Sequence, residues 1–339
     1  MNQLVPQPIF THLKRLTTEF GLQEHALFDE PRPEHGYCVD DVSRGLVLLC
    51  RESDLEPIEF AMLELYLDFT LRAIAADGSC HNRMDSEGQW ADEPGTGDWW
   101  GRAMWGVGFA AAHAPLESQR ARALEGFRIL ARTTSPDLKA LSFASLGAGE
   151  VLIKYPAESA ARSVLEEVRT RLTQPSSANW IWPEKRLSYS NGSVAEAVIL
   201  IGWVLEDAPT LERGILLLEF LLEIETRSGH FSVTSADGRE DDEREMSFDQ
   251  QPIEIAAIAD ACARAFHVTG DRRWADEVER AWSWFLGNND IGVQMFDPLT
   301  GAGYDGLHDR GPNMNQGAES TISMLSTAQQ ALITELPAA

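Results

Sequence analysis

Basic residues are scarce in this chain. Twenty-eight lysines and arginines stand against 53 aspartates and glutamates, for a formal net charge of −25. Such a surface repels phosphate backbones and anionic membranes, so neither nucleic acid nor membrane is expected as a partner. Cysteine is also sparse: Cys38, Cys50, Cys80 and Cys262 form no CxxC pair and no zinc spacing. Cys50 and Cys262 sit in apolar helical runs and read as small core residues. The eight histidines show no HxxxH or HExxH spacing, so no metal is expected. There is no GxGxxG, no GxxxxGK[ST] and no GxSxG, so neither a nucleotide cofactor nor a nucleophile elbow is expected. No apolar run approaches the length that spans a bilayer, and 1–14 has no apolar leader stretch. These absences give a cytoplasmic reading with no cofactor.

Convincing strands are few as well, and apolar periodicity near 3.6 dominates. It predicts helices at about 8–20, 40–50, 56–76, 99–112, 116–132, 136–153, 157–172, 192–205, 209–226, 255–268, 271–287 and 316–332. A short hairpin is expected where 80–84 and 89–90 flank the turn-like Asp85-Ser86-Glu87-Gly88. The helices alternate in kind. Those starting near 40, 98, 137, 191, 251 and 316 are rich in small residues and nearly all apolar. Their neighbours are amphipathic, with Arg and Glu on one face. A helix apolar all round is buried and an amphipathic one covers it. Six of each predict an all-α (α/α)6 barrel, one domain over 1–339. An open solenoid would show a tighter period and more self-similarity.

The long segments 21–39, 77–97, 173–189, 227–248 and 288–314 each lead from a covering helix into a buried one. They therefore gather at one end of the barrel, where the inner helices begin. Long polar loops on one face of a rigid scaffold are where a site is expected.

Carboxylates cluster at those helix starts: Asp40 and Asp41, Asp98, Glu184, Asp249 with Glu254, and Glu319. Asp249 is placed as an N-cap ahead of Pro252. Capping and dipole interactions of about 0.3–2 kcal/mol account for any one of them without chemistry. Five helix starts converging on one mouth point further, because like charges there need a cation or a substrate between them. Asp40–Arg44 and Asp98–Arg102 have the spacing of helical ion pairs, which either staple the helix or hold a carboxylate ionised beside substrate. Tyr37, Trp99, Trp100, Trp182 and Tyr189 either plug the barrel end or stack on sugar rings. Acids with aromatics, and no metal, flavin or nucleotide motif, indicate carbohydrate chemistry.

Four stretches carry a resemblance: His35-Gly36-Tyr37-Cys38-Val39-Asp40-Asp41 with Arg44; Asp98 with Gly101-Arg102-Ala103 and Trp105; Phe248-Asp249-Gln250-Gln251-Pro252-Ile253-Glu254; and Asn313-Met314-Asn315-Gln316-Gly317-Ala318-Glu319-Ser320-Thr321. Over about 25–330 the chain resembles a bacterial family of six-hairpin glycosidase-like domains. These are found fused behind a glycosyltransferase domain or standing alone near mannoside-processing enzymes. The resemblance implies the same barrel, a carbohydrate ligand and a functional link to a glycosyltransferase. The chain departs from that pattern at Trp99-Trp100 and at Lys185.

These observations together indicate a glycoside hydrolase acting on an oligosaccharide by inversion, with mannosides among the candidate substrates. Its acid and base come from Asp40, Asp41, Asp98, Asp249, Glu254 and Glu319, with Asp98 and Glu254 as the chosen pair. Substrate contacts are expected from His35, Tyr37, Arg44, Trp99, Trp100, Arg102, Trp182, Glu184, Tyr189, Gln250, Gln251, His308, Asn315 and Gln316. A sugar epimerase or isomerase using His35 or His308 is the alternative, as is a non-catalytic sugar-binding partner of a glycosyltransferase.

Overall fold

The computed structural model describes residues 5–177, 179–240, 243 and 245–335. The start of the N-terminal stretch 1–14 and parts of the loops 173–189 and 227–248 fall outside the described residues.

Twelve helices are seen among the described residues. After the short α1 (Thr11–Leu16) come α2 (Val39–Arg51), α3 (Pro57–Ala73), α4 (Asp98–His113), α5 (Glu117–Leu130), α6 (Leu138–Lys154) and α7 (Ser159–Leu172). They continue as α8 (Gly192–Val204), α9 (Ala208–Glu225), α10 (Pro252–Thr269), α11 (Arg273–Phe285) and α12 (Ala318–Glu335). The even-numbered helices α2 to α12 pack in ring order, and α12 returns to α2. This closure defines the (α/α)6 barrel and rules out the open solenoid. The odd-numbered helices lie outside, each against the inner helix that precedes it, while α1 rests on α12.

Composition sorts the two layers. The first eleven residues of α8 are all buried, as a run that is apolar but for Ser193 and Glu196 requires. On α11, by contrast, Trp274, Val278, Ala281, Trp282 and Phe285 form the buried stripe of a covering helix. Small residues let the inner helices approach closely. A Cβ on Gly147 would stand 2.1 Å from the Met104 carbonyl, and one on Gly101 would stand 2.1 Å from that of Ala140. The backbones of α4 and α6 therefore touch at glycine. Gly147→Ala is expected to cost about 3 kcal/mol by forcing these helices apart, read as a lower denaturant midpoint at unchanged m-value.

Two local expectations change and a third is extended. The first helix covers only Thr11–Leu16, because Thr17 turns extended and bridges to Leu22. The 80–90 hairpin forms, with Met84 bridging Trp90 and Ala91 N–H donating to Arg83 O at 2.8 Å; Arg83–Met84 also pairs with Tyr37–Cys38, tying two mouth loops together. Asp249 is not the cap of α10. Gln251 holds that position, and Asp249 follows a cis peptide bond in the loop before it.

Candidate active site at the mouth of the barrel

The inner helices begin at one end, and two adjoining hollows open there. The first, ≈ 310 Å³, is lined by Glu24, His25, Asp40, Asp41, Arg44, Asn82, Arg83, Asp249, Gln251, Asp305, Asn313 and Glu319, among others. The second, ≈ 610 Å³, is lined by Asp98, Trp99, Asp137, Lys139, Glu184, Ser188 and Tyr189, among others.

Arg44 organises the first hollow. It projects from the second turn of α2 and is almost wholly buried. Its guanidinium pairs with Asp41 at 2.5 Å, Glu319 at 3.0 Å and Asp40 at 3.4 Å. Asp40 is shared: its carboxylate also lies 3.0 Å from Arg102 Nε on the neighbouring inner helix. Arg102 is buried with its guanidinium 3.8 Å from the centre of the Phe143 ring. It does not pair with Asp98, the partner expected from spacing. The Asp40–Arg102 contact instead ties the start of α2 to α4.

Asp98 is the first residue of α4 and borders the second hollow. Burial raises its pKa to about 6; Arg102 and Lys139 oppose this, and the negative charges of Asp40 and Asp137 add to it. Burial likewise pushes Asp41 up to about 7, against the pull of Arg44. Asp249, half-buried, is also raised by burial and by Asp305, with His308 opposing. The Asp249 Oδ1 atom makes no hydrogen bond, and His308 Nδ1 stands 3.8 Å from it. Gly306 leaves the space Asp249 occupies, since a Cβ there would lie 2.1 Å from Oδ1.

Several expected site residues are engaged in contacts within the fold. Glu254 is 2% exposed and borders neither hollow. Its carboxylate accepts from Ser190 N–H, from Asn191 N–H at 3.1 Å and from Asn191 Nδ2 at 2.9 Å. It clasps the start of α8 to α10, with three of its lone-pair sites already taken by that segment. Glu254→Ala is expected to destabilise the fold by about 3 kcal/mol, because three buried donors lose their acceptor; thermal melting checks this. Trp100 is buried, with its Nε1 donating to Gly78 O at 3.0 Å. Trp182 is fully buried against Phe220 of α9. Tyr37 is buried with its hydroxyl on Thr18. Gln250 spans Asp290 and Ser247. Asn315 accepts from Phe28 N–H, and buried Gln316 offers its carbonyl to His12.

Trp99, Tyr189 and Glu184 do reach the second hollow, and Gln251 reaches the first. His35 is exposed and stands edge-on to His25, which lines the first hollow.

Sequence reasoning overlooked Glu24, His25, Asn82, Arg83, Lys139 and Asp305. Lys139 carried a signal: it is a lone cation in the first turn of a small-residue inner helix, where the dipole disfavours positive charge. It is buried, 3.4 Å from Glu184 Oε2, with Nζ 5.6 Å from the Tyr189 ring centre. Asp305 accepts from Gly317 N–H at 2.7 Å and Ser320 Oγ at 2.6 Å, which orients the start of α12 and hence Glu319. Glu24, Cys38 and Asp41 bring ligand atoms within 4.8 Å of one another. Arg83 already pairs with Glu24 and Arg44 with Asp41, and burial pushes the Cys38 thiol pKa up. That chemistry suits an ion-pair network rather than a metal.

The architecture has solved counterparts. A sugar epimerase from a ruminal bacterium aligns with a TM-score of 0.71 at 12% identity, over 97% of both chains. The cellobiose 2-epimerase from Spirochaeta thermophila aligns at 0.68 and 12% identity, over 96% of this chain and 94% of that one. The cellulase Cel9M of C. cellulolyticum aligns at 0.63 and 8% identity, over 92% and 87%. This chain thus shares its (α/α)6 barrel with sugar epimerases and cellulases. No family model matches the sequence, and no curated protein matches it.

Proposed function

We propose that this chain is a carbohydrate-active enzyme that hydrolyses a glycosidic bond in an oligosaccharide with two carboxyl groups. Asp98 is the acid and Asp40 the base. One observation carries the reading: across Arg102, one carboxyl is pushed toward its protonated form while the other is ion-paired to two guanidiniums. A carboxyl held toward its protonated form near a second, ion-paired carboxylate is what glycoside cleavage requires. Asp98 gives its proton to the leaving oxygen as the C–O bond breaks. Asp40 takes a proton from the water whose oxygen bonds to the anomeric carbon, giving inversion. Trp99 and Tyr189 offer ring faces to the sugars, Arg44 and Gln251 offer donors, and Glu319 beside Arg44 completes the acidic wall. The solved counterparts named as a cellulase and a cellobiose epimerase fit a saccharide substrate.

A second reading, epimerisation of a free sugar, draws on His25 in the first hollow and on His308 beside Asp249. Two counterparts that cover nearly the whole chain are named as epimerases.

Time-resolved proton NMR with a panel of oligosaccharides, mannosides included, separates the readings. Hydrolysis yields a new anomeric signal whose first configuration reports inversion or retention. Epimerisation in deuterium oxide instead exchanges a ring C–H of a free sugar without releasing a leaving group. Saturable binding with no product would favour a non-catalytic partner of a glycosyltransferase, the link that the sequence resemblance implies.

A further inference from the structure

A third cavity, ≈ 980 Å³, lies at the opposite end of the barrel, where the six inner helices finish. It shares no lining residue with either hollow at the mouth. Phe109, Trp203 and Phe266 contribute aromatic surface to it, and Glu150, Glu196 and Arg264 line it from within the inner helices.

Most charges there are settled. Asp260 pairs with Arg51 at 2.9 Å and accepts from Gln330 Nε2 at 2.6 Å. Glu150 pairs with Arg264 Nη2 at 2.5 Å and His113 Nε2 at 2.8 Å. Glu196 is different. It is 4% exposed, accepts no hydrogen bond among the described residues, and its nearest cation is Arg264 Nε at 3.5 Å. That Nε atom is itself buried without a hydrogen bond. An acceptor and a donor, 3.5 Å apart and neither hydrogen-bonded, thus border a cavity with aromatic walls.

Their chemistry selects the occupant. An anion would face the carbonyl ends of six helices and the carboxyl of Glu196. A cation would meet a lining in which Arg51, Arg264 and Arg272 offset Glu150, Glu196 and Asp260. A purely apolar molecule would leave Glu196 and Arg264 Nε without hydrogen bonds. A neutral ring bearing hydroxyl groups meets both demands: its hydroxyls bond the polar pair and its C–H face stacks on an aromatic ring. We propose that this rear cavity is a second binding site, for an uncharged sugar ring, held by Glu196, Arg264 and Trp203. The proposal does not rest on the hydrolase reading, because the two ends are built from different residues.

The test uses the full chain carrying Asp98→Asn and Trp99→Ala, which remove the front acid and one front stacking ring, so that the rear-site variants below separate rear binding from any left at the front. Saturation-transfer NMR with methyl α-mannopyranoside and methyl β-glucopyranoside is expected to show saturable binding of at least one of them. Bound sugar is expected to slow hydrogen exchange in the last turns of α8 and α10. Adding Trp203→Ala should weaken binding about tenfold or more, and adding Glu196→Gln should weaken it severalfold. The glutamine variant keeps the test decisive where Trp203→Ala fails to fold. Trp203→Ala alone, when folded, should leave front-mouth turnover unchanged. No saturable binding of either glycoside, unaltered binding in folded Trp203→Ala or Glu196→Gln protein, or protection confined to the front loops would overturn the proposal.

Discussion

Asp98→Asn is expected to lower turnover of the cleaved oligosaccharide by about 10²–10⁴-fold with little change in KM, because the amide fills the same space but has no acidic proton to deliver. The pH profile gives a sharper test. Burial and the charge of Asp40 raise the Asp98 pKa from its ordinary 3.8 to about 6. An acid works only while protonated, so wild-type kcat/KM should fall about tenfold per pH unit above 6. Residual activity of the asparagine variant should lack that limb. An unchanged limb would move the acid to Asp41 or Asp249, which burial also raises.

The same shift makes a stability prediction of opposite sign. A carboxyl whose folded pKa lies above its unfolded pKa binds its proton more tightly in the folded state. Its contribution is full below pH 3.8 and is lost as pH rises through about 6. Above that pH, wild type keeps a half-buried charge that asparagine avoids. Asp98→Asn should therefore melt above wild type at pH 8, by the equivalent of about 1–2 kcal/mol after allowance for solvent screening, and show no gain at pH 4. Calorimetry at the two pH values reads both arms.

Arg44→Met is expected to cause the largest loss of stability from a single change at the mouth, about 3–5 kcal/mol near pH 8. Methionine fills much of the volume but leaves Asp40, Asp41 and Glu319 facing one another without the shared cation. Acid should relieve the defect. The buried Asp41 carboxyl, at about 7 even beside Arg44, loses the interaction that lowered it and so takes up a proton at still higher pH in the variant. The gap between variant and wild-type melting temperatures should therefore narrow from pH 8 to pH 5. A gap that stays constant with pH would mean that lost packing around the Arg44 stem, rather than unbalanced charge, sets the cost. Turnover should fall as well, because Asp40 would retain only Arg102.

The alternation of inner and outer helices was legible because each kind is marked along its whole length. An inner helix such as α8 is apolar all round, and an outer one such as α11 is apolar on one stripe. The rear polar cluster had a signature of the same sort, which the sequence reading passed over: Glu150, Glu196, Asp260 and Arg264 interrupt otherwise apolar inner helices and so must find partners in the interior.

Sequence by itself determined how many helices there are, which layer each occupies and at which end the long loops meet. These follow from residue type and period within single segments. Only the tertiary structure decided which polar side chains share a hollow. Trp99 and Trp100 are adjacent but about 100° apart around the helix, so one borders the second hollow and the other plugs the barrel end. Glu254 lies one turn into α10 and is spent on the backbone of α8. Asp40 lies in the first turn of α2 and faces the cavity. Arg44 meets Glu319 across 275 residues of chain. A few ångströms of helix rotation would exchange such roles, and no local preference of the chain encodes a pairing made by closing the ring.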